Sequence, residues 1–234
     1  MRFALDALGL LPAIDWLAII VLFGAWAGYA RFARKRADTR PSILAATNRV
    51  RMAWMRRTTT RENRVVDGIV VQNLSTSPSF FASTTILIIG GLLAVLGTTD
   101  KATEFVREIP FAARTSALVF DLKLAVLTAI FVYAFFRFTW SMRQYSFGAL
   151  LVGAAPERDE PWTDADRDAF ALRAGRVMGL AAETFNDGLR AYYMAFAAIA
   201  WFFSAWACLA ATAFVVFVLY RREFHSEVLA LLSE

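Results

Sequence analysis

The stretch LVFDLKLAVLTAIFVYAFF, residues 118–136, decides the fold, because it is apolar over nearly the length of a membrane-spanning helix. A helix needs about 20 mostly apolar residues to cross the hydrocarbon layer of a bilayer. Two charged residues, Asp121 and Lys123, lie near the start of the run. A charge inside a bilayer is costly unless it finds a partner or water, so the same stretch also contains the first candidate site.

The composition of the whole chain agrees with a membrane protein. Of the 234 residues, 58% are hydrophobic and only 19% are charged, which is more apolar than a soluble domain of this length requires. The single cysteine, Cys208, excludes an internal disulfide and a cysteine metal cluster. The single histidine, His225, excludes a haem held by two histidines of this chain. We therefore predict no cofactor and no metal.

Three further apolar segments join the first, so the predicted spans are residues 8–30, 80–97, 117–136 and 191–220. The chain is predicted to be one all-α, polytopic membrane domain, 1–234, with four transmembrane helices. Helical cytoplasmic extensions are expected in residues 31–78 and 137–190. Prolines should lie outside the middle of the spans, with Pro78 preceding the second one. Gly188 is the expected weak point of the last long helix.

The distribution of lysine and arginine predicts the orientation of the spans. Residues 31–78 hold eleven basic residues and three acids, whereas the N-terminal segment has only Arg2. Basic loops stay on the cytoplasmic side, so this loop is predicted to be cytoplasmic and, with four spans, both termini to lie outside. Arg221 and Arg222 favour the opposite side for the C-terminus, but their bias is smaller.

Three charged residues should share one depth in the membrane. Asp121 lies sixteen residues before Arg137, and Asp15 sixteen residues before Arg31, so both should sit about 24 Å from the inner boundary. Asp121 and Lys123 point about 200° apart on a helix and cannot easily pair with each other. The layer of Asp15, Asp121 and Lys123 is therefore either the wall of an ion path or an interhelical bridge to Lys123.

A second polar cluster is expected at the inner boundary of the membrane. Arg137 is close enough to the apolar core to need a carboxylate, and Asp187 is the candidate partner. The cluster is either ordinary interfacial anchoring or a vestibule whose basic excess favours anions. Its predicted members are Arg137, Arg143, Gln144, Asn186, Asp187 and Arg190.

The basic first loop contains an amphipathic helix, predicted from the stretch ILAATNRVRMAWMRR at residues 43–57. Such a helix beside a membrane can lie on the bilayer and contact anionic lipid headgroups. Alternatively it packs on the second cytoplasmic helix, whose acids follow an expected cap at Thr163 and Asp166. Nucleic acid is not an expected partner, since no binding module is present. The residues predicted to face lipid are Arg49, Arg51, Trp54, Arg56 and Arg57.

Several strings of the chain resemble a known family. They are FFASTTILIIGGLLAVLG at 80–97, FRFTWSMRQYSFGALLVGAAP at 136–156, FNDGLRAYYMAFAAIAWF at 185–202 and LYRREF at 219–224. Together they resemble domain of unknown function 599, a group of bacterial and plant integral membrane proteins. The resemblance implies the four-span fold and supplies no catalytic residues. We predict a location in the bacterial inner membrane.

The sequence favours a non-enzymatic function. It contains no phosphate-binding glycine loop, no serine nucleophile elbow and no HExxH pattern. The first hypothesis is an oligomeric membrane channel or transporter for a small ion or solute, based on the charged layer. The alternative is a non-enzymatic scaffold or accessory subunit of a larger membrane complex. A homo-oligomer is expected because Ser83, Gly90, Ala94 and Gly97 form a small-residue helix face.

Overall fold

The computed structural model describes residues 11–37, 41–97 and 116–233, and every regular element in these ranges is an α-helix. Three parts of the predictions lie outside the described residues: residues 8–10 of the predicted first span, residues 38–40 of the predicted basic loop, and residues 98–115 between the second and third predicted spans. The helices are α1 Ala13–Ala37, α2 Ile43–Thr58, α3 Val65–Leu96, α4 Ala117–Gly153, α5 Asp164–Ala200, α6 Ala205–Phe224 and α7 Glu227–Ser233.

Four stretches are long and apolar enough to cross a bilayer, which confirms the predicted fold class. They are Ala13–Arg36 in α1, Val65–Leu96 in α3, Ala117–Gly153 in α4 and Ala205–Leu232, which begins with α6. An α-helix satisfies all of its backbone hydrogen bonds internally, which is what a lipid environment demands.

The second span differs from its prediction, because α3 begins at Val65 rather than near residue 80. The Asn63 side chain accepts a hydrogen bond from the Val65 N–H at 2.9 Å, which caps the helix start. Pro78 lies inside α3 rather than before it. Proline removes only one backbone donor, and apolar helices tolerate this loss better than helices in water do.

The segment 191–220 is also divided rather than continuous. Helix α5 runs through Gly188 and ends at Ala200, so the expected weak point at Gly188 is wrong. A turn at 201–204 follows, and α6 begins at Ala205, where the Ser204 hydroxyl accepts from the Ala207 N–H at 3.0 Å. Trp201, in the turn, is only 1% exposed. Burial of this side chain and a serine cap fix a break that hydropathy alone does not reveal.

The described residues form two compact units, of which the first comprises parts of 1–33, 85–134 and 189–221. In this unit α1 and α6 run parallel. Ala18 packs with Ala205 and Cys208 near the start of both helices, and the Phe32 and Tyr220 rings lie 6.2 Å apart near their ends. Parallel helices that cross a bilayer end on the same side of it.

Helices α4 and α5 run antiparallel within the first unit. Lys123 contacts the backbone of Trp201, and eight residues further along α4 the Phe131 ring meets Tyr192 edge-on, with ring centres 5.2 Å apart. The Tyr192 hydroxyl also shares a 2.7 Å hydrogen bond with Thr85 of α3. The end of α5 therefore lies beside the start of α4.

The second unit comprises parts of 34–84, 135–188 and 222–234. Its core contains Met55, Tyr145, Phe170 and Met178, drawn from α2, α4 and α5. The C-terminal α7 packs against α2, and the Leu44 N–H donates to Glu223 Oε1 at 3.2 Å. The C-terminal segment and the basic α2 therefore belong to the same unit.

Arginines hold the loops of the second unit in place. Arg64 donates to the backbone oxygens of Ala155, at 2.7 Å, and of Pro156. Arg167, which is buried, donates to the backbone oxygen of Thr59. Each guanidinium satisfies backbone carbonyls in the loops that follow the ends of helices.

Candidate functional site

A buried lysine of α4 is held between α1 and the turn after α5. The side chain of Lys123 is 2% exposed, and its ammonium donates to the backbone oxygen of Trp201 at 2.8 Å. Its nitrogen lies 4.0 Å from Asp15 Oδ1 and 5.0 Å from the centre of the Trp201 ring. The Trp201 indole N–H donates to the same carboxylate oxygen at 2.5 Å. These residues form what we call the Asp15–Lys123–Trp201 triad.

The end of α5 explains why the lysine binds there. The last carbonyls of a helix have no partner within it, and the helix dipole places partial negative charge at that end. The turn at 201–204 presents the Trp201 carbonyl to α4, where a cation can accept its charge. A lysine in this position donates a hydrogen bond to the carbonyl and also forms an ion pair with the carboxylate of Asp15.

The triad identifies which acid of the predicted charge layer bridges to the lysine. Asp15 provides the carboxylate, whereas Asp121 is half-buried and does not belong to the triad. This outcome fits the bridging interpretation of Lys123. The sequence reasoning missed Trp201, although an indole N–H in the middle of an uncharged apolar run needs an acceptor and was a usable signal.

The chemistry open to this arrangement is limited in the observed state. The ammonium donates to the Trp201 carbonyl and forms an ion pair with the Asp15 carboxylate, which accepts from the indole. Cys208 lies buried in the adjoining apolar cluster. Within the described ranges, no three histidine, cysteine or acidic side chains are grouped so that they could hold a metal ion. The triad ties three helices together, and transfer of an ion through it would first require the contacts to open.

A second charged contact centres on Asp187 of α5, as the sequence predicts. Asp187 Oδ2 accepts from Arg137 at 2.5 Å and from Arg34 at 2.9 Å. Arg137 is the predicted partner, and Arg34 of α1 was not foreseen. Next to the carboxylate, Gly188 allows the Phe138 ring to pack directly on the α5 backbone. One buried carboxylate thus joins α1, α4 and α5 within the second unit.

The other members of the predicted inner cluster do not join this contact. Asn186 and Gln144 are half-buried, and Gln144 Oε1 has no hydrogen-bond partner among the described residues. The Arg143 guanidinium lies 5.6 Å from the Phe147 ring centre. Arg190 belongs to the first unit, where its guanidinium lies 5.7 Å from the Tyr29 ring centre. The cluster predicted from sequence is therefore distributed over several separate contacts.

The basic α2 begins at Ser42, whose hydroxyl accepts from the Ala45 N–H at 3.1 Å. Arg56 bonds to Asp164 at 2.9 Å and to Asp168 at 2.5 Å, as expected if the acidic start of α5 faces the basic loop. Arg49 and Arg57 are exposed. The predicted helix is therefore present, with part of its charge used in packing.

Arg51 is the half-buried arginine of α2. Its Nη1 donates to the side-chain oxygens of Thr47, at 3.0 Å, and Asn48, at 2.8 Å. Burial lowers the pKa of the Arg51 guanidinium, and the nearby Tyr145 and Glu183 partly oppose this effect.

Asp67 is a buried acid that sequence reasoning did not single out. Its Oδ1 accepts from Trp54 Nε1 and from Arg61 Nη1, each at 2.6 Å. Its Oδ2 is also buried and has no hydrogen-bond partner among the described residues. The aspartate is fully buried, and it joins the end of α2 to the start of α3. An acid three residues into a helix is common at helix starts, which is why the sequence did not mark this one as special.

A family model described as protein of unknown function, DUF599, matches residues 17–228. The chain belongs to the DUF599 family. The matched region includes Lys123, Trp201 and Asp187, and it begins two residues after Asp15. No curated protein and no solved structure matches the chain. Membership of the DUF599 family thus agrees with the resemblance seen in the sequence and brings no assigned activity.

Proposed function

We propose that this DUF599 protein is a non-enzymatic scaffold or accessory subunit of a larger assembly in the bacterial inner membrane. The observation that carries the proposal is the Asp15–Lys123–Trp201 triad, in which the lysine is 2% exposed. A charged layer that lined a conducting path would be expected to meet water. A closed and mutually satisfied layer instead fits a role in holding helices together.

The exposed membrane helix α3 provides a surface for assembly. Only 11% of the most apolar part of α3 is buried within the chain, and Leu87 is 75% exposed. A side chain added at Gly90 or Gly91 would meet nothing within 4 Å. Small residues on an exposed helix let a second helix approach closely in lipid. We expect another copy or another subunit on this face.

Transport of a small ion or solute is the second candidate, and the buried lysine itself favours it. Ionisable residues inside membrane spans often mark pathways for ions or protons. For this function the triad would be the closed state of a gate, with Lys123 released from Trp201 when the path opens. A gated conductance would then depend on Asp15.

The proposed topology places the N-terminus outside and the C-terminus in the cytoplasm. Its support is the parallel arrangement of α1 and α6, together with the packing of α7 on the basic α2. In this topology α5 makes a fifth crossing before the turn at 201–204, in addition to the four apolar stretches, and its uncharged part begins after Arg190. Its 37 residues extend over about 55 Å, which exceeds the hydrocarbon thickness. Reporter fusions at each terminus test this arrangement, and reporters on the same side would contradict it.

Extraction from native membranes and flux measurements in liposomes distinguish the two functions. We expect the tagged protein to leave native membranes with a stoichiometric partner or as a defined oligomer, and to show no flux in liposomes. Gly90→Leu should abolish the association, whereas Gly24→Leu should not, although a side chain at Gly24 also meets nothing within 4 Å. A monomer without partners would contradict the scaffold. Flux that is altered by both Asp15→Asn and Lys123→Met would favour transport instead.

A further inference from the structure

An apolar groove lies along α2 and the first turns of α3. Its cavity measures about 430 Å³ and is lined in part by Val50, Val66, Val70 and Leu74. Leu232 of α7 closes one side of it. Val50 and Val66 are 54% and 62% exposed, so the groove opens onto an apolar surface. Exposed apolar surface of this kind indicates contact with lipid or with a partner.

Arginines line the same groove. Arg51 and Arg61 both border the cavity. Arg61 bonds to Asp67, but none of the ion pairs among the described residues involves Arg51, whose Nη1 bonds to neutral oxygens. Glu183 acts electrostatically on the Arg51 guanidinium but forms no ion pair with it, so the half-buried charge still favours an anion from outside the chain, because burial leaves it poorly solvated.

The charge around the groove is complementary to an anionic headgroup. Residues 41–77 contain six arginines and two acids, which leaves a net charge of +4. Of the two acids, Asp67 is buried against Arg61, and Glu62 pairs with Arg158 at 2.6 Å. The exposed Arg49 and Arg57 remain on the surface of α2. A ligand with an apolar chain and a negatively charged head would fit both the apolar lining of the groove and the arginines around it.

We propose that this groove binds one anionic phospholipid, with an acyl chain along the valines and leucines and the phosphate at Arg51. A guanidinium binds a phosphate through a planar fork of donors, so Arg51 is the residue that selects the headgroup. Arg61 supplies a second positive charge at the groove, although its Nη1 is already bound to Asp67. The site does not depend on whether the protein acts as a scaffold or a transporter.

Native mass spectrometry from nanodiscs tests this site. The wild-type protein in phosphatidylcholine nanodiscs containing one-fifth phosphatidylglycerol should retain one phosphatidylglycerol after the bulk lipid is released. Arg51→Gln should lower that retention about tenfold or more, as expected for the loss of a charge-assisted contact. Arg57→Gln is the matched control, since it removes the same charge from an exposed position of α2 outside the groove. Equal losses in both variants would overturn the specific site and leave only diffuse attraction.

A second pair of variants tests the acyl chain without altering any charge. Val70→Trp fills the groove and should also abolish retention, whereas Ile69→Trp, one residue away and outside the lining, should not. This pair decides the outcome if Arg51→Gln fails to fold. Millimolar inorganic phosphate should not displace the lipid, and displacement would assign the site to a free anion. Retention of phosphatidylcholine equal to that of phosphatidylglycerol, or a peptide or second copy in the groove, would refute the proposal.

Discussion

Replacing Asp15 by asparagine should destabilise the protein, because it removes a charge from the triad and keeps an acceptor for the Trp201 indole. Two unit charges 4.0 Å apart, as Asp15 and Lys123 are, attract each other by about 4 kcal/mol at an effective dielectric constant near 20. Breaking a buried pair by removing one partner costs about 3–5 kcal/mol. Asp15 is 14% exposed, so water screens part of the charge, and we expect a loss of about 2–4 kcal/mol.

A double-mutant cycle separates the charge interaction from other effects. Lys123→Met keeps the length of the side chain but removes its charge, and the double variant removes both charges together. Replacing both members of a buried pair is often close to neutral. The double variant should therefore lose less free energy of unfolding than the two single variants lose together. The difference, which is the coupling energy, should be about 2 kcal/mol or more.

The assay is reversible unfolding in mixed detergent and lipid micelles, followed by tryptophan fluorescence and circular dichroism. Asp121→Asn is the control, because this half-buried acid lies on α4 but outside the triad. Its coupling to Lys123→Met should stay within about 0.5 kcal/mol. If Asp15→Asn and Lys123→Met are additive within that margin, the triad is not an electrostatic unit and the reasoning fails.

Three further changes probe the second unit. Gly188→Ala should cost about 1–3 kcal/mol in chemical unfolding, since its Cβ would lie 2.5 Å from a carbon of the Phe138 ring. Asp187→Asn should cost about 3 kcal/mol in the same assay, because Arg137 would keep its charge without a counterion. Hydrogen bonds from the side chain and backbone of Thr163 lower the pKa of Asp166 below its ordinary value of 3.8. The stabilisation by this cap is present above pH 3.8 and is lost as the pH falls through the lower pKa of the folded state. The loss should appear as faster amide hydrogen exchange at Asp166, after correction for the intrinsic exchange rates.

Each of these changes has a matched control. Gly68→Ala should be neutral or stabilising, because its Cβ meets nothing within 4 Å, and a loss as large as that of Gly188→Ala would contradict the packing argument. Arg34→Gln should cost less than about 1 kcal/mol, since Arg34 is 57% exposed. Thr163→Ala should reduce the pH dependence at Asp166 to the part that the backbone N–H of residue 163 supports. If the dependence is as large in the variant as in the wild type, another group causes it.

Hydropathy predicted the membrane helices well because lipid rewards long apolar runs, whichever contacts form later. The boundaries failed where tertiary contacts decide them. Residues 191–220 carry no charge and no proline, so nothing in the pattern marks the turn that buries Trp201. Proline breaks helices in water, so the sequence predicts a boundary at Pro78, yet α3 continues through it.

The candidate site was predictable in its charges and not in its partners. A lysine and an acid are conspicuous within apolar runs, and the predicted contact between Arg137 and Asp187 is present. The main partner of Lys123 is a backbone carbonyl, which every residue carries and which therefore leaves no trace in a sequence. Asp67 was overlooked because burial, rather than residue type, makes it unusual.

The contact between Leu44 and Glu223 has a consequence for how the protein is made. The two residues are 179 positions apart, so at about 5–20 residues per second the ribosome needs roughly 10–35 s to supply the second after the first. During that interval α2 leaves the ribosome without its C-terminal cover, with its apolar groove and arginines open. A chaperone or the membrane surface can cover α2 until Glu223 and α7 have been synthesised, and their packing on α2 then completes the core of the second unit.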